Sequence, residues 1–309
     1  MEKLIDIDSY PVCTVLKSLL KDKTTGKNII SATNAYQDLD AGIGERSQIT
    51  ISILSHYGGE VVKPRVTKSI EQQSQRTKNK AEVFTPSWIC NKMNNHCDTE
   101  WFGREGVFKT EREQTWEPTE TTIEFAKAKD WQKYVDSKRL EITCGEAPYI
   151  VSRYDAATGE LIPIRRRIGI LDRKLRIVNE NTDTEKDWLK WTCRAFQSVY
   201  GYEFQGDNLL IARINLLMTF EEYLEDRWDR EATESELKKI TNIIVWNLWQ
   251  MDGITGTVPF GKPKEEYQQM TFFDYTSGIN DNEPEEMDCR IYDWRADRSL
   301  TYRSIKEGK

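Results

Sequence analysis

"LEITCGEAPYIVSRYD", residues 140–155, reads as a short strand turning into a helix, with Gly145 at the join and Pro148 at a permitted helix start. In an open α/β sheet that junction is where ligands bind. Backbone groups at the strand's carboxyl end and the first helical N–H groups point into the crevice there. The stretch carries neither G-x-G-x-x-G nor a G-K-[ST] ending, so it is no dinucleotide fingerprint and no phosphate-binding loop.

Downstream the pattern alternates. Helical stretches at 167–181 and 183–199 lead to a strand, "VYGYEF" (199–204), and a long apolar-faced helix at 207–228. A helix opening with the capping-box pair Thr233 and Glu236 precedes the strand "IVWNLWQMD" (244–252), and "CRIYDW" (289–294) is the last strand. Upstream, residues 103–122 read as loop, and a short helix follows "FTPSWICNKMNN" from Pro86. Three β-branched stretches, 28–33, 48–54 and 59–66, predict strands. Strands alternating with helices imply βαβ units and a parallel sheet, an α/β fold. The expected division is an N-terminal accessory region over 1–80 and a ligand-binding domain over 81–309.

Composition narrows the function. The 309 residues are 38% hydrophobic and 31% charged, as in a globular protein with a solvated surface. No apolar run approaches the roughly 20 residues of a membrane span, and the acidic start has no signal-peptide core. A cytoplasmic protein without membrane contact is expected. Six cysteines without a C-x-x-C pair suggest reduced thiols, and two histidines, His56 and His96, make a metal site unexpected. The net charge of −7 argues against indiscriminate nucleic-acid binding. Two basic stretches still offer phosphate contacts: Lys63, Arg65 and Lys68 in the first, Arg76 and Lys78 in the second. Taken alone, each reads as a solvated face.

Three strand ends carry acids: Glu141, Glu203 and Asp252. In a parallel sheet these face the crevice, where carboxylates accept hydrogen bonds from ribose hydroxyls or a purine amino group. Gly145 would let a ligand approach the backbone closely. Alternatively, Glu203 caps the following helix and Asp252 sits in a turn with Gly253.

Here the chain resembles the adenine-specific (N6) DNA methyltransferases, and the modification subunits of restriction systems in particular. "AEVFTPSWICNKM" is similar to their F-x-T-P segment, "LEITCGEAP" to their glycine loop, "VYGYEFQGDNLLIARINLL" to their ribose-binding strand and helix, and "NLWQMDG" to the adenine-contacting strand. The resemblance covers roughly residues 80–255. It implies an S-adenosylmethionine-dependent, Rossmann-like methyltransferase fold with a largely parallel sheet. It also implies S-adenosylmethionine as cofactor, with Phe84, Thr85 and Pro86 at its methionine end, Glu141 and Gly145 at the loop, Glu203 at the ribose and Asp252 at the adenine. DNA, a restriction or specificity subunit and a second copy of the chain are the partners to expect.

The family's [DNS]-P-P-[YFW] tetrapeptide is absent. Where it would lie stands "CRIYDWRAD", in which Asp293 could accept an amino hydrogen of the flipped base and Trp294 could stack on it. Alternatively, Asp293 pairs with Arg295 or Arg298 and Trp294 fills a core gap. A family sheet needs further strands, which the N-terminal segments or a partner chain would supply. The rival function is a binding protein that keeps the fold and has lost the chemistry.

Overall fold

The computed structural model describes residues 3–40, 42–80, 82–83, 85–263 and 287–308. In chain order, helix α1 (Val12–Leu19) is followed by α2 (Ile51–Val61), α3 (Ile70–Lys80) and α4 (Ser87–Phe102). An antiparallel hairpin, β1 (Lys109–Arg112) and β2 (Thr115–Pro118), stands where loop was expected. Then come α5 (Asp130–Asp136), β3 (Arg139–Glu141), α6 (Ile170–Asn181), α7 (Glu185–Gln197) and β4 (Val199–Glu203). Helices α8 (Gly206–Trp228) and α9 (Glu234–Asn247) precede β5 (Leu248–Gln250). A second hairpin, β6 (Arg290–Asp293) and β7 (Arg298–Thr301), runs into α10 (Tyr302–Lys306). No helix among the described residues is long and apolar enough to cross a membrane.

The fold is mixed α/β around a three-stranded parallel sheet of order β3-β4-β5. Alternation along each strand sets the two faces. Val199 and Leu248 belong to the main core with the fully buried faces of α6 to α9. Tyr200, Tyr202 and Trp249 point the other way and pack with Cys289, Ile291 and Tyr302 of the C-terminal hairpin and α10.

The N-terminal segments do not complete this sheet. Residues 51–61 form α2 because Thr50 caps the helix, accepting from the Ile53 N–H, and Leu54, Gly58 and Val61 then share one buried face. The β-branched content of this stretch concealed a helical period. Only single bridges, such as Ile30 to Gln48, remain of the strands expected at 28–33 and 48–54. The described residues of the N-terminal region instead clamp the core. Arg213, fully buried on α8, donates to the carbonyls of Leu248 in β5 and of Leu19 and Lys21 at the N-terminal end. The main core runs without a break from Ile5 to Leu248.

Candidate functional site

A cavity of about 1080 Å³ opens at the carboxyl end of β3 and β4. Its floor is the 141–150 stretch. The Glu203 carboxylate, buried at the end of the central strand, accepts from the Gly145 N–H at 2.9 Å and the Gln205 N–H at 3.0 Å. It therefore fixes the glycine loop and caps the entry to α8 together. Burial pushes its carboxyl above the usual range, with the two amides offsetting part of that.

Glu141 accepts from the Ile150 N–H at 3.1 Å and more loosely from Tyr149. These bonds cap the start of a single turn, which is closed by the Ile150 and Val151 N–H groups on the Ala147 carbonyl, and the helix expected from Pro148 goes no further than that turn. The next helix is α6. Burial pushes Glu141 up to about 8. Between the two acids the loop holds Thr143, Gly145 and Ala147 in the left-handed region, at φ 47, 54 and 65°. For Thr and Ala this costs on the order of 1–2 kcal/mol each, and backbone strain of this kind clusters at ligand clamps.

Glu82, Val83 and Thr85 also line the cavity, and they are anchored on either side. On one side Glu82, buried, accepts from the Arg76 Nε at 2.6 Å and the Asn208 Nδ2 at 3.0 Å. On the other, the Ser87 N–H donates to Asp155 Oδ2 at 2.9 Å, at the far end of the 140–155 stretch. Thr85 lines the cavity, and Pro86 supplies the first cap position of α4. Phe84 lies outside the described residues.

The structure thus brings together Thr85, Glu141, Gly145 and Glu203, with Pro86 beside them. Among the described residues it leaves out the others that were expected there. Asp252 follows β5 by two residues and turns away, its Oδ1 accepting from the Ile254 and Thr255 N–H groups of a turn. It does not line the cavity.

Asp293 and Trp294 are at the wrong end of the sheet. Cys289 lies by the Gln250 carbonyl, yet Trp294 Nε1 donates to Asn247 Oδ1 at 2.7 Å. The β6 segment therefore runs against β5, and its carboxyl end reaches the amino ends of the parallel strands. There Asp293 accepts from the Arg295 and Ala296 N–H groups and pairs with Lys138, while Arg295 pairs with Asp136.

The basic residues expected at phosphate also differ in placement. Lys68 and Arg76 are buried, facing Asp207 at 3.7 and 2.8 Å, and Arg65 binds Glu82. Burial alone would raise the Asp207 carboxyl, but Arg76 and Lys68 hold it at about 2. Lys63 pairs with Glu60, and Lys78 is exposed. Lys63, Arg65, Lys68 and Arg76 thus serve carboxylates of the same chain, and Arg76 joins α3 to the start of α8. Gly206 marks that close approach, since a Cβ there would stand 2.0 Å from the Ile30 carbonyl oxygen.

Sequence reading missed one wall of the cavity. Lys92, Met93, His96 and Cys97 of α4 line it, as does Arg139. Their i, i+4 spacing on one helix was the available signal. No protein-family model, no curated protein and no solved structure matches this chain.

Proposed function

We propose that the crevice binds S-adenosylmethionine in a Rossmann-like methyltransferase fold, and that the chain serves adenine methylation of DNA as the modification component of a restriction system. The observation that carries this reading is Glu203. It is a buried carboxylate at the carboxyl end of the central parallel strand, holding the glycine loop while still facing the cavity. Each of its oxygens accepts one bond here and has capacity for another, which suits the hydroxyls of a ribose. The donor set therefore fits the cofactor.

Bound there, S-adenosylmethionine would supply an electrophilic methyl group on its sulfonium sulfur. The protein's work is positioning. Glu203 would hold the ribose, the Thr85–Pro86 segment the methionine end, and Glu141 the turn that shapes the floor. Asp252 has no part in this assignment, so the purine would meet Phe204 and Gln205, which line the cavity next to Glu203.

A second reading is cofactor binding without transfer, favoured by the absence of Asp293 and Trp294 from the crevice lining. Incubation of the protein with tritiated S-adenosylmethionine and mixed-sequence DNA, with and without host extract, separates the two. Incorporation lost in Glu203→Ala supports transfer through this crevice. Cofactor binding without incorporation supports the second reading, and incorporation untouched by Glu203→Ala removes the site assignment. Where transfer occurs, Asp293→Ala leaves it unchanged.

A further inference from the structure

The crevice is polarised. Its acids, Glu82, Glu141 and Glu203, gather at the carboxyl ends of the strands and over the glycine loop, while the same cavity is also lined by three basic side chains, Arg139 at the amino end of β3 and Lys92 and His96 of α4. Arg139 is the unusual member. It is half-buried, its Nε is shut off from solvent, and among the described residues its guanidinium has no hydrogen bond or ion pair. A guanidinium carries five donors and cannot shed its charge, so leaving it bare against a protein wall is costly. Lys92 is exposed on α4 and likewise has no carboxylate partner among the described residues. His96 contributes less, since its ring stands 3.5 Å from Glu100.

Size points the same way. A site for one small ligand spans roughly 300–1,000 Å³, and this crevice is at the upper limit of that range at about 1080 Å³. There is room beside the acid-lined end for a second group, and the unpaired cations define its charge.

We propose that Arg139 and Lys92, assisted by His96, form an oxyanion subsite that takes a phosphate of the nucleotide entering the crevice. This deepens the methyltransferase reading by naming how its substrate is held, and it rests on that reading for the identity of the neighbouring ligand. The planar fork of Arg139 suits two phosphate oxygens, and Lys92 adds a mobile point charge at the rim. The phosphate is either a diester of a DNA strand or the monoester of a free nucleotide.

Fluorescence anisotropy of a labelled single-stranded oligonucleotide of about 12 residues, within the range of single-strand sites, tests this across a salt series. Arg139→Gln and Lys92→Gln should each weaken binding about tenfold, the loss of one charged hydrogen bond. Each should also flatten the salt dependence by about one phosphate contact. A loss confined to adenosine 5′-monophosphate, used as the second probe, supports the subsite with a free nucleotide as its source. Affinity for both probes unchanged in both variants overturns the proposal, and the exposed Lys92→Gln keeps that outcome available if Arg139→Gln fails to fold. S-adenosylmethionine titrations run alongside distinguish the two claims. Oligonucleotide binding that depends on Arg139 and Lys92 without cofactor binding upholds the subsite and defeats the methyltransferase reading.

Discussion

Glu203 holds two main-chain amides and faces a cavity, so replacing it has two separable effects. Glu203→Ala orphans the Gly145 and Gln205 N–H groups and should destabilise the fold by roughly 1–3 kcal/mol in urea titration. Glu203→Gln keeps an acceptor and should recover part of that loss. Glu141 adds a pH signature, because burial raises its folded carboxyl from 4.5 to about 8. A raised value means that its contribution is complete below about 4.5 and is lost as pH climbs through about 8. The unfolding midpoint of the wild type should therefore fall across that window relative to Glu141→Gln, which carries no such charge. Coincident pH profiles would contradict this. At this scale the sequence was legible where an acid ended a parallel strand. Asp252 misled because β5 stops at Gln250 and the chain turns before the acid.

Among elements, the ones read correctly are those whose signals are local. The capping box of α9 is present as written, with Thr233 accepting from the Glu236 N–H and Glu236 reaching back to the Thr233 N–H. Thr233→Ala should cost about 0.5–2 kcal/mol, measured by chemical denaturation, and no loss would mean that α9 is held by packing alone. Elements whose identity depends on tertiary context were hidden. The stretch 48–54 has strand composition, yet the Thr50 cap starts α2 inside it, so Leu54 is buried from the helix while Ile49 is buried ahead of the cap and Ile51 is exposed. The direction of β6 is hidden in the same way. Nothing local in "CRIYDW" says that it runs against β5, and that direction alone carries Asp293 away from the crevice.

Across the whole molecule, the N-terminal region is part of the site's foundation. Arg76 of α3 binds Glu82, which lines the crevice, and Asp207, which opens α8. Removing it takes the shortest cationic contact from two buried carboxylates and leaves only Arg65 on Glu82 and Lys68 at 3.7 Å from Asp207, so Arg76→Ala should cost about 3 kcal/mol, the low end for a broken buried pair, whereas Lys78→Ala, two residues on and exposed, should leave the melting temperature unchanged. This long-range pairing was illegible in the sequence, where both residues belonged to one basic stretch. The central claim is that the crevice at the carboxyl ends of β3 and β4 is a cofactor site, and calorimetric titration of the full chain with S-adenosylmethionine tests it most directly. The expected result is saturable binding of one cofactor per chain, weakened by roughly 1–3 kcal/mol in Glu203→Ala. No heat of binding at about millimolar cofactor, where even a ligand worth about 4 kcal/mol would register, would contradict it.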